Sequence, residues 1–294
     1  MKALFLGGVA AGTAAGIRAR LPAGLEVAIL GDPIDRARLR QAVADAEILV
    51  SNHWSADYPA APRVQLVQSV ATGVELIELA ALPAGVAVCN AFGHESAIAE
   101  YVVMVMLAWR HRLFEISGEF REHASWRTSW VQGGAPHGEV RGSTLGIVGY
   151  GRVGREVARR AAPFGCRILA ANRTPKEPES GVEGVVPLAD IDRMLPECDT
   201  VALCTALGPE TTGLIDARRL SLMRSKAFLI NIAPWPSSRR GRNLFGTARS
   251  DDRRRGTRRL VAISKRDRAR AARLAASVSR IAECYRDAAQ FRMD

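Results

Sequence analysis

Three glycines with a fixed spacing are the residues of this sequence that indicate chemistry most directly. Gly149, Gly151 and Gly154 match G-x-G-x-x-G and stand between an apolar run, 145–148, and a helix-like run, 155–162. In that setting the first glycine permits a tight turn, the second lets the backbone approach a pyrophosphate, and the third lets helix and strand pack closely. The start of the helix would then face the phosphates. The pattern predicts a dinucleotide site formed by Gly149, Gly151, Arg152, Val153 and Gly154.

The residues after the next apolar run, 167–171, bear on which dinucleotide would bind. Such a strand usually ends in a carboxylate, about 20 residues past the glycine loop, that binds the adenosine ribose hydroxyls. Here Asn172, Arg173 and Thr174 follow instead, so a positive charge and a hydroxyl stand where a carboxylate would repel a 2′-phosphate. We therefore expect NADP(H) to be favoured, with NAD(H) as the alternative. That Arg173 is only a solvated surface residue stays open.

A second glycine-rich segment, 7–12, also follows an apolar run. It has Gly7, Gly8 and Gly12 but lacks glycine at the middle position of the fingerprint. We expect a structural or substrate-side turn here, with a second nucleotide site as the alternative.

The elements that would position these loops alternate along the chain. Strands are predicted at 2–6, 27–30, 47–50, 64–68, 86–90, 144–149, 167–171, 200–204 and 227–232. Helices are predicted at 35–46, 73–81, 153–164, 191–195 and 217–223, and a long amphipathic stretch from 95 to about 115 is expected to link two domains. Alternating strands and helices favour parallel sheets with crossover helices.

With these segments assembled, the sequence resembles the D-isomer-specific 2-hydroxyacid dehydrogenase family, which includes phosphoglycerate dehydrogenases and glyoxylate/hydroxypyruvate reductases. The resemblance runs from about 41 to 233 and is carried by several spaced segments in order. These are 68–73, 96–100, 144–154 with 164–165, 199–203, 209–211 and 231–233. By family analogy, a substrate-side loop would comprise Val70, Ala71, Thr72 and Gly73. The nucleotide site would also take in Cys204, Thr205, Thr211, Asn231 and Ala233.

The resemblance also implies the fold and the domain plan. We expect an α/β chain with two doubly wound parallel sheets. A flavodoxin-like substrate domain would cover 1–96, a truncated Rossmann NAD(P)-binding domain 97–233, and a basic atypical tail 234–294. Homodimer formation through the 95–115 helix is expected by the same analogy.

The implied activity is hydride transfer between a nicotinamide and a small 2-oxo or 2-hydroxy acid. Family members hold the substrate carboxylate with an arginine directly after the Asn-x-Ala segment and use a later histidine, paired with a glutamate, as acid and base. Here Pro234 stands at the arginine position, and all five histidines precede the glycine loop. We therefore name no catalytic residue and expect an NAD(P)-dependent oxidoreductase of this type with crippled activity, or a non-catalytic nucleotide-binding homologue.

The basicity of the chain is confined to its last fifth. In 234–294, Lys and Arg outnumber Asp and Glu by 17 to 6, which accounts for the whole formal net charge of +11. Three interpretations stay open: an out-of-frame continuation of the coding sequence, a module that binds a polyanion, and natural divergence of a non-catalytic homologue. No nucleic-acid-binding motif is recognisable, so nucleic acid is not expected as a partner.

Composition sets the remaining expectations. The five cysteines are scattered, without a C-x-x-C pair, which favours reduced thiols in a cytoplasmic protein and gives no metal site. The apolar start of the chain is diluted by glycine and is interpreted as a strand rather than a leader. No apolar run approaches the roughly 20 residues that span a membrane.

Overall fold

The computed structural model describes residues 1–125, 133–134, 136–206 and 208–233. These residues belong to two compact units, Met1–Gly93 and one that begins at His94. Within the described part, no helix is long and apolar enough to cross a membrane. The basic tail from 234 onward lies outside the described residues, and so do the predictions made for it.

The first unit is built on a five-stranded parallel sheet. Its strands are β1 (Lys2–Leu6), β2 (Glu26–Leu30), β3 (Ile48–Val50), β4 (Leu66–Gln68) and β5 (Ala87–Cys89), in the order β2-β1-β3-β4-β5. Helix α1 (Gly8–Ile17) follows β1, and α2 (Arg36–Ala44) follows β2. Asp35 caps α2 by accepting the N–H groups of Ala37 and Arg38 at 2.8 and 3.1 Å. This strand order is the flavodoxin-like one, as predicted.

The second unit has its own five-stranded parallel sheet. Its strands are β6 (Thr144–Val148), β7 (Arg167–Asn172), β8 (Gly184–Pro187), β9 (Thr200–Leu203) and β10 (Phe228–Asn231), in the order β10-β9-β6-β7-β8. Its helices are α3 (Glu95–Arg110), α4 (Leu113–His123), α5 (Arg152–Ala161), α6 (Ile191–Met194) and α7 (Ala217–Leu222). The order reverses at β6, as in a Rossmann sheet. The predicted α/β fold class is confirmed. Among the described residues β10 is the edge strand.

The core of the second unit fixes where the glycine loop must lie. Every residue of β6 is buried, and helices α3 and α5 pack together over one face of the sheet. A hydrogen bond from Arg160 of α5 to Ser96 of α3 joins these two helices at their surface, and Glu156, one turn earlier in α5, forms an ion pair with Arg160. The start of α5 is therefore held directly above the end of β6.

The structure differs from the predicted elements in two segments. The helix predicted over 73–81 is wrong, because the backbone there pairs with Trp54: its N–H donates to Leu76 O at 3.0 Å, and its carbonyl accepts from Glu78 at 2.9 Å. Only Leu79–Ala81 forms a 3₁₀ turn. The long helix predicted from 95 to 115 divides at Arg112, which adopts a left-handed φ of 56° and donates to the Glu115 carboxylate at 2.7 Å. Helix α1 and strand β8 were not predicted.

Edge strand β10 is attached to the core by an aromatic stack, and this contact predicts a stability effect. Phe228 is buried and stacks on Trp109 of α3, with ring centroids 4.4 Å apart. We expect Phe228→Leu to lower the free energy of unfolding by about 1–2 kcal/mol, through lost stacking and imperfect repacking. Urea unfolding would measure this. Phe164→Leu, at a side chain 40% exposed, is the matched control and should change stability by less than about 0.5 kcal/mol. Equal losses in the two variants would contradict the packing described.

Candidate nucleotide site

The candidate site lies where β6, β7 and β9 end at their carboxyl edge. Gly149 follows β6 and donates its N–H to Ala171 of β7 at 2.8 Å, while Cys204 donates to Val148 of β6 at 2.7 Å. The strand order reverses at β6, so the loops after β6 and β9 run to opposite sides and leave a crevice between them. Ligands of doubly wound sheets bind in crevices of this kind.

The three glycines of the fingerprint have three different surroundings. Gly149 has a φ of 98°, and a Cβ there would lie 2.8 Å from the carbonyl carbon of Cys204. A Cβ on Gly154 would collide with the carbonyl oxygen of Gly149 and lie 3.1 Å from Ile147 Cγ2. These two glycines are required by the turn and by the close approach of α5 to β6.

Gly151 differs, because nothing in the described part of the protein explains its lack of a side chain. Its φ of −88° suits any residue, and no atom of the described residues lies within 4 Å of the place where a Cβ would stand. The open space above its backbone is the kind of cradle that a pyrophosphate needs. Arg152 and Val153 form the first turn of α5, whose N–H groups and partial positive charge favour an anion. The residues present therefore fit a dinucleotide.

Tyr150 and Asn172 hold the glycine loop in place. Tyr150 is fully buried; its N–H donates to Asn172 Oδ1 at 3.0 Å, and its hydroxyl accepts the N–H of Glu179 at 3.2 Å. The Asn172 amide nitrogen donates to the Thr174 carbonyl at 2.8 Å. The side-chain amide of Asn172 is thus engaged within the protein. Tyr150 was not predicted as a site residue, although a large aromatic side chain inside a glycine loop itself indicates local packing.

A cavity of about 290 Å³ opens beside the glycine loop. Predicted residues that line it are Gly149, Gly151, Asn172, Arg173, Thr174, Cys204, Thr205 and Thr211. Residues that line it without having been predicted are Lys176, Leu188, Ala206, Gly208 and Glu210. The structure therefore brings together residues from the ends of three strands that are up to 62 positions apart in sequence, from Gly149 to Thr211.

The charged groups at this cavity are Arg173, Lys176 and Glu210. The Arg173 guanidinium forms an ion pair with the Glu210 carboxylate, although 37 positions separate them. Hydrogen bonding to Arg173 lowers the pKa of Glu210, so this carboxylate is ionised at neutral pH. Among the described residues, Lys176 has no ion-pair partner. The net charge of these three groups is positive, which favours an anionic ligand.

On the other side of the cavity, the loop after β9 is organised by Thr211. Its hydroxyl accepts the N–H of Gly208 at 2.8 Å and donates to the Ala206 carbonyl at 2.7 Å. Burial raises the pKa of the Cys204 thiol to about 12, so this side chain is a neutral thiol near pH 7 and not a nucleophile. This end of the cavity is less charged than the Arg173 end.

Five predicted residues are not among the described residues that line the cavity: Arg152–Gly154 at the start of α5, and Asn231 and Ala233 at and after the end of β10. Asn231 ends β10, and its side-chain oxygen accepts the N–H of Ala233 at 3.0 Å. Ala233 packs partly against the hydrophobic core of the sheet. Asn231 thus shapes the turn that leads to Pro234, the position of the family arginine, which lies outside the described residues.

The competing glycine segment near the N-terminus is a helix start whose backbone already has an internal partner. Asp32 Oδ2 accepts the N–H of Gly8 at 2.7 Å, at the beginning of α1. A carboxylate from the protein itself therefore occupies the position that a phosphate would need, and this favours the structural interpretation of the segment.

The predicted substrate-side loop follows β4 in the first unit. Ser69, which is fully buried, accepts the N–H of Ala71 and donates to carbonyl oxygens of Ala71 and Gly73 at 3.0 Å. Thr72 donates to the Ala91 carbonyl at 3.1 Å, and its own carbonyl accepts from Asn90 at 2.8 Å. Val70 packs partly against the core. The loop is firmly organised, and Ser69 is its organising residue that the sequence did not reveal.

No metal centre is indicated in the part of the chain that the structure describes: no three His, Cys, Asp or Glu side chains are grouped to hold an ion there. Of the cysteines described, Cys166 and Cys198 are buried and free, and burial raises the pKa of both thiols.

Comparison with known proteins gives relatives for much of this chain. The model of the D-isomer specific 2-hydroxyacid dehydrogenase NAD-binding domain matches residues 103–234. A glyoxylate reductase from Thermococcus kodakarensis is 36% identical over 212 residues, which cover 68% of this chain and 62% of that protein. A D-3-phosphoglycerate dehydrogenase from Mycobacterium leprae is 30% identical over 70% of this chain and 41% of its own length.

Solved structures give the same fold. A Thermus thermophilus protein aligns with a TM-score of 0.64 at 29% identity, over 79% of this chain and 74% of its own. A D-isomer specific 2-hydroxyacid dehydrogenase family protein from Aeromonas salmonicida aligns with a TM-score of 0.66 at 22% identity, over 79% and 72% of the two chains. The chain spans less than two thirds of the length of the curated relatives named above. With its glycine cradle, its sheet order and these matches, the chain belongs to the D-isomer specific 2-hydroxyacid dehydrogenase family.

Proposed function

We propose that this chain binds a nicotinamide dinucleotide at the carboxyl edge of β6, β7 and β9. The observation that carries the proposal is the open space above Gly151, beside a cavity lined by the ends of three strands. In this proposal Gly149–Gly154 receive the pyrophosphate, Asn172–Thr174 lie at the adenosine ribose, and Cys204, Thr205 and Thr211 lie toward the nicotinamide. Asn231 and Ala233 shape the adjoining turn.

NADP(H) is the proposed preferred ligand, and NAD(H) is the alternative. Arg173 and Lys176 offer positive charge at the adenosine end, and Asn172 brings no carboxylate there. We expect NADPH to bind roughly 3- to 10-fold more tightly than NADH, since an ion pair at a solvent-exposed site contributes about 1 kcal/mol. Fluorescence titration of the parent protein with each nucleotide tests this. Tighter binding of NADH would contradict it.

The proposed reaction type is reduction of a small 2-oxo acid, or the reverse. The nicotinamide supplies or accepts the hydride when bound. The residues of this chain would bind the nucleotide through the cradle and position the acid through the Val70–Gly73 loop. The arginine and histidine implied by the family have no counterpart at their expected places, since Pro234 follows Ala233 and every histidine precedes Gly149. We therefore propose that turnover is very low or absent, and that the chain acts as a nucleotide-binding homologue in a cytoplasmic setting.

A homodimer is proposed as the assembly, and α4 gives it an observable test. Leu113, Phe114 and Phe120 of α4 are each at least 50% exposed, which is unusual for large apolar side chains on one short helix. We expect light scattering to give a dimer mass for the parent, and Phe114→Asp to shift it toward the monomer by placing a charge in the contact. Val9→Asp, at another side chain more than half exposed, is the control and should leave the mass unchanged. A monomeric parent at high concentration would contradict the proposal.

A further inference from the structure

The ion pair between Arg173 and Glu210 stands at the adenosine end of the cavity. Arg173 comes directly after β7 (Arg167–Asn172), and Glu210 lies in the loop after β9 (Thr200–Leu203). Both residues line the cavity, and the Arg173 guanidinium donates to the Glu210 carboxylate. The pair therefore spans the crevice between the two loops instead of stabilising one element.

Glu210 is the only carboxylate among the described residues that line this cavity. Its position brings negative charge to the end where the nucleotide would present its 2′-substituent. The side chains of Arg173 and Glu210 are 76% and 41% exposed, so solvent can replace either partner. Exposed pairs of this kind are weak, and a competing anion can displace the carboxylate.

The pair affects the two nucleotides differently. A 2′-phosphate must take Arg173 away from Glu210 and then lie next to a carboxylate, which repels it over the few ångströms involved. A free 2′-hydroxyl carries no charge, and it can donate a hydrogen bond to a carboxylate. Glu210 therefore opposes the phosphorylated nucleotide and leaves the unphosphorylated one unaffected or slightly favoured.

Resting on the function proposed above, we infer that Glu210 is a specificity-determining residue that limits the preference for NADP(H) by competing with the 2′-phosphate for Arg173. The sequence alone predicts that NADP(H) is favoured, with Arg173 supplying the positive charge and no partner assigned to it. The structure assigns that arginine a partner from a distant loop. Coenzyme choice in this chain is then a property of the Arg173–Glu210 pair and not of the strand end alone.

The test compares Glu210→Gln with a matched control in the full chain. Dissociation constants for NADPH and NADH are measured by fluorescence titration at low salt. We expect Glu210→Gln to bind NADPH about 3- to 10-fold more tightly, and NADH within 2-fold of the parent, in keeping with the strength of an exposed pair and one removed repulsion. Glu183→Gln removes another arginine-paired glutamate, bound to Arg167 away from the cavity, and should change neither constant.

A second variant separates the competition from a general charge effect. In an Arg173→Gln background, Glu210→Gln should improve NADPH binding by less than half as much as in the parent, because no guanidinium remains to be released. If Glu210→Gln shifts both nucleotides equally, or leaves NADPH unchanged, the inference is wrong while the proposed site stands. If the parent binds neither nucleotide, the proposed function fails and the inference fails with it.

Discussion

We expect Gly151→Asp to abolish nucleotide binding while the protein remains folded. The backbone at Gly151 suits any residue, and no atom of residues 1–125, 133–134, 136–206 or 208–233 lies within 4 Å of the position of a Cβ, so this part of the protein accommodates the new side chain. A bound pyrophosphate would meet both the added atoms and a carboxylate. Lost hydrogen bonds to an anion and like-charge repulsion together cost about 3 kcal/mol or more, which weakens binding at least about 100-fold.

The matched control is Gly12→Asp. Gly12 lies on α1 in the competing glycine segment, is exposed, and also has no atom within 4 Å of the place where a Cβ would stand. Circular dichroism would show that both variants are folded, and titration with NADPH and NADH would compare them. We expect Gly12→Asp to bind like the parent. If instead Gly12→Asp loses binding and Gly151→Asp keeps it, the nucleotide site lies at the N-terminal segment.

The fold could be predicted from the sequence wherever one local pattern determined an element. Strands β1 and β6 are apolar runs closed by glycine, and both occur where predicted. The segment 73–81 could not be predicted, because its backbone pairs with Trp54, about twenty positions earlier in the chain. The break at Arg112 has no proline or glycine to announce it, and depends on a left-handed residue stabilised by the Glu115 carboxylate. Long-range backbone pairing and ion pairs between side chains decide such cases, and hydrophobic periodicity does not indicate them.

The candidate site, like the fold, could be predicted from the sequence only where its residues belong to a local motif. The glycine loop and the strand end at Asn172 are local motifs, and Gly149, Gly151 and Asn172–Thr174 from these motifs line the cavity. Tyr150, Ser69 and Glu210 were missed, because their roles depend on partners from 2 to 37 positions away that no motif encodes. The sequence thus predicts which residues would lie near a ligand. The structure adds the residues that organise the loops, Tyr150 and Ser69, and the residue that pairs with Arg173, Glu210.

Steady-state assays with NADPH or NADH and glyoxylate, hydroxypyruvate or 3-phosphohydroxypyruvate are expected to show turnover at or near background. Ordinary enzymes turn over about 1–10³ times per second. Acid/base catalysis alone contributes a factor of roughly 10²–10⁴ to the rate of the catalysed reaction. The family arginine that orients the carboxylate supplies a further large factor. With Pro234 at the arginine position and no histidine after Gly154, we expect a rate at least about 10⁴-fold below a family glyoxylate reductase assayed alongside.

Pro234→Arg should leave this rate unchanged. This result says more about which catalytic groups are missing than the low rate of the parent protein does. An arginine restored after Asn231-Ile232-Ala233 could bind a carboxylate, but proton transfer to the substrate oxygen would still lack a donor, because groups that act together in catalysis are not additive. Nucleotide binding should be the same in parent and variant, since the cradle at Gly149–Gly154 and the charged end of the cavity at Arg173 are formed by residues that this substitution leaves unchanged. Turnover within the ordinary range in the parent would show that residues beyond 233 supply the acid and the carboxylate anchor. A large gain from Pro234→Arg alone would show that the proton donor is present and only the anchor is missing.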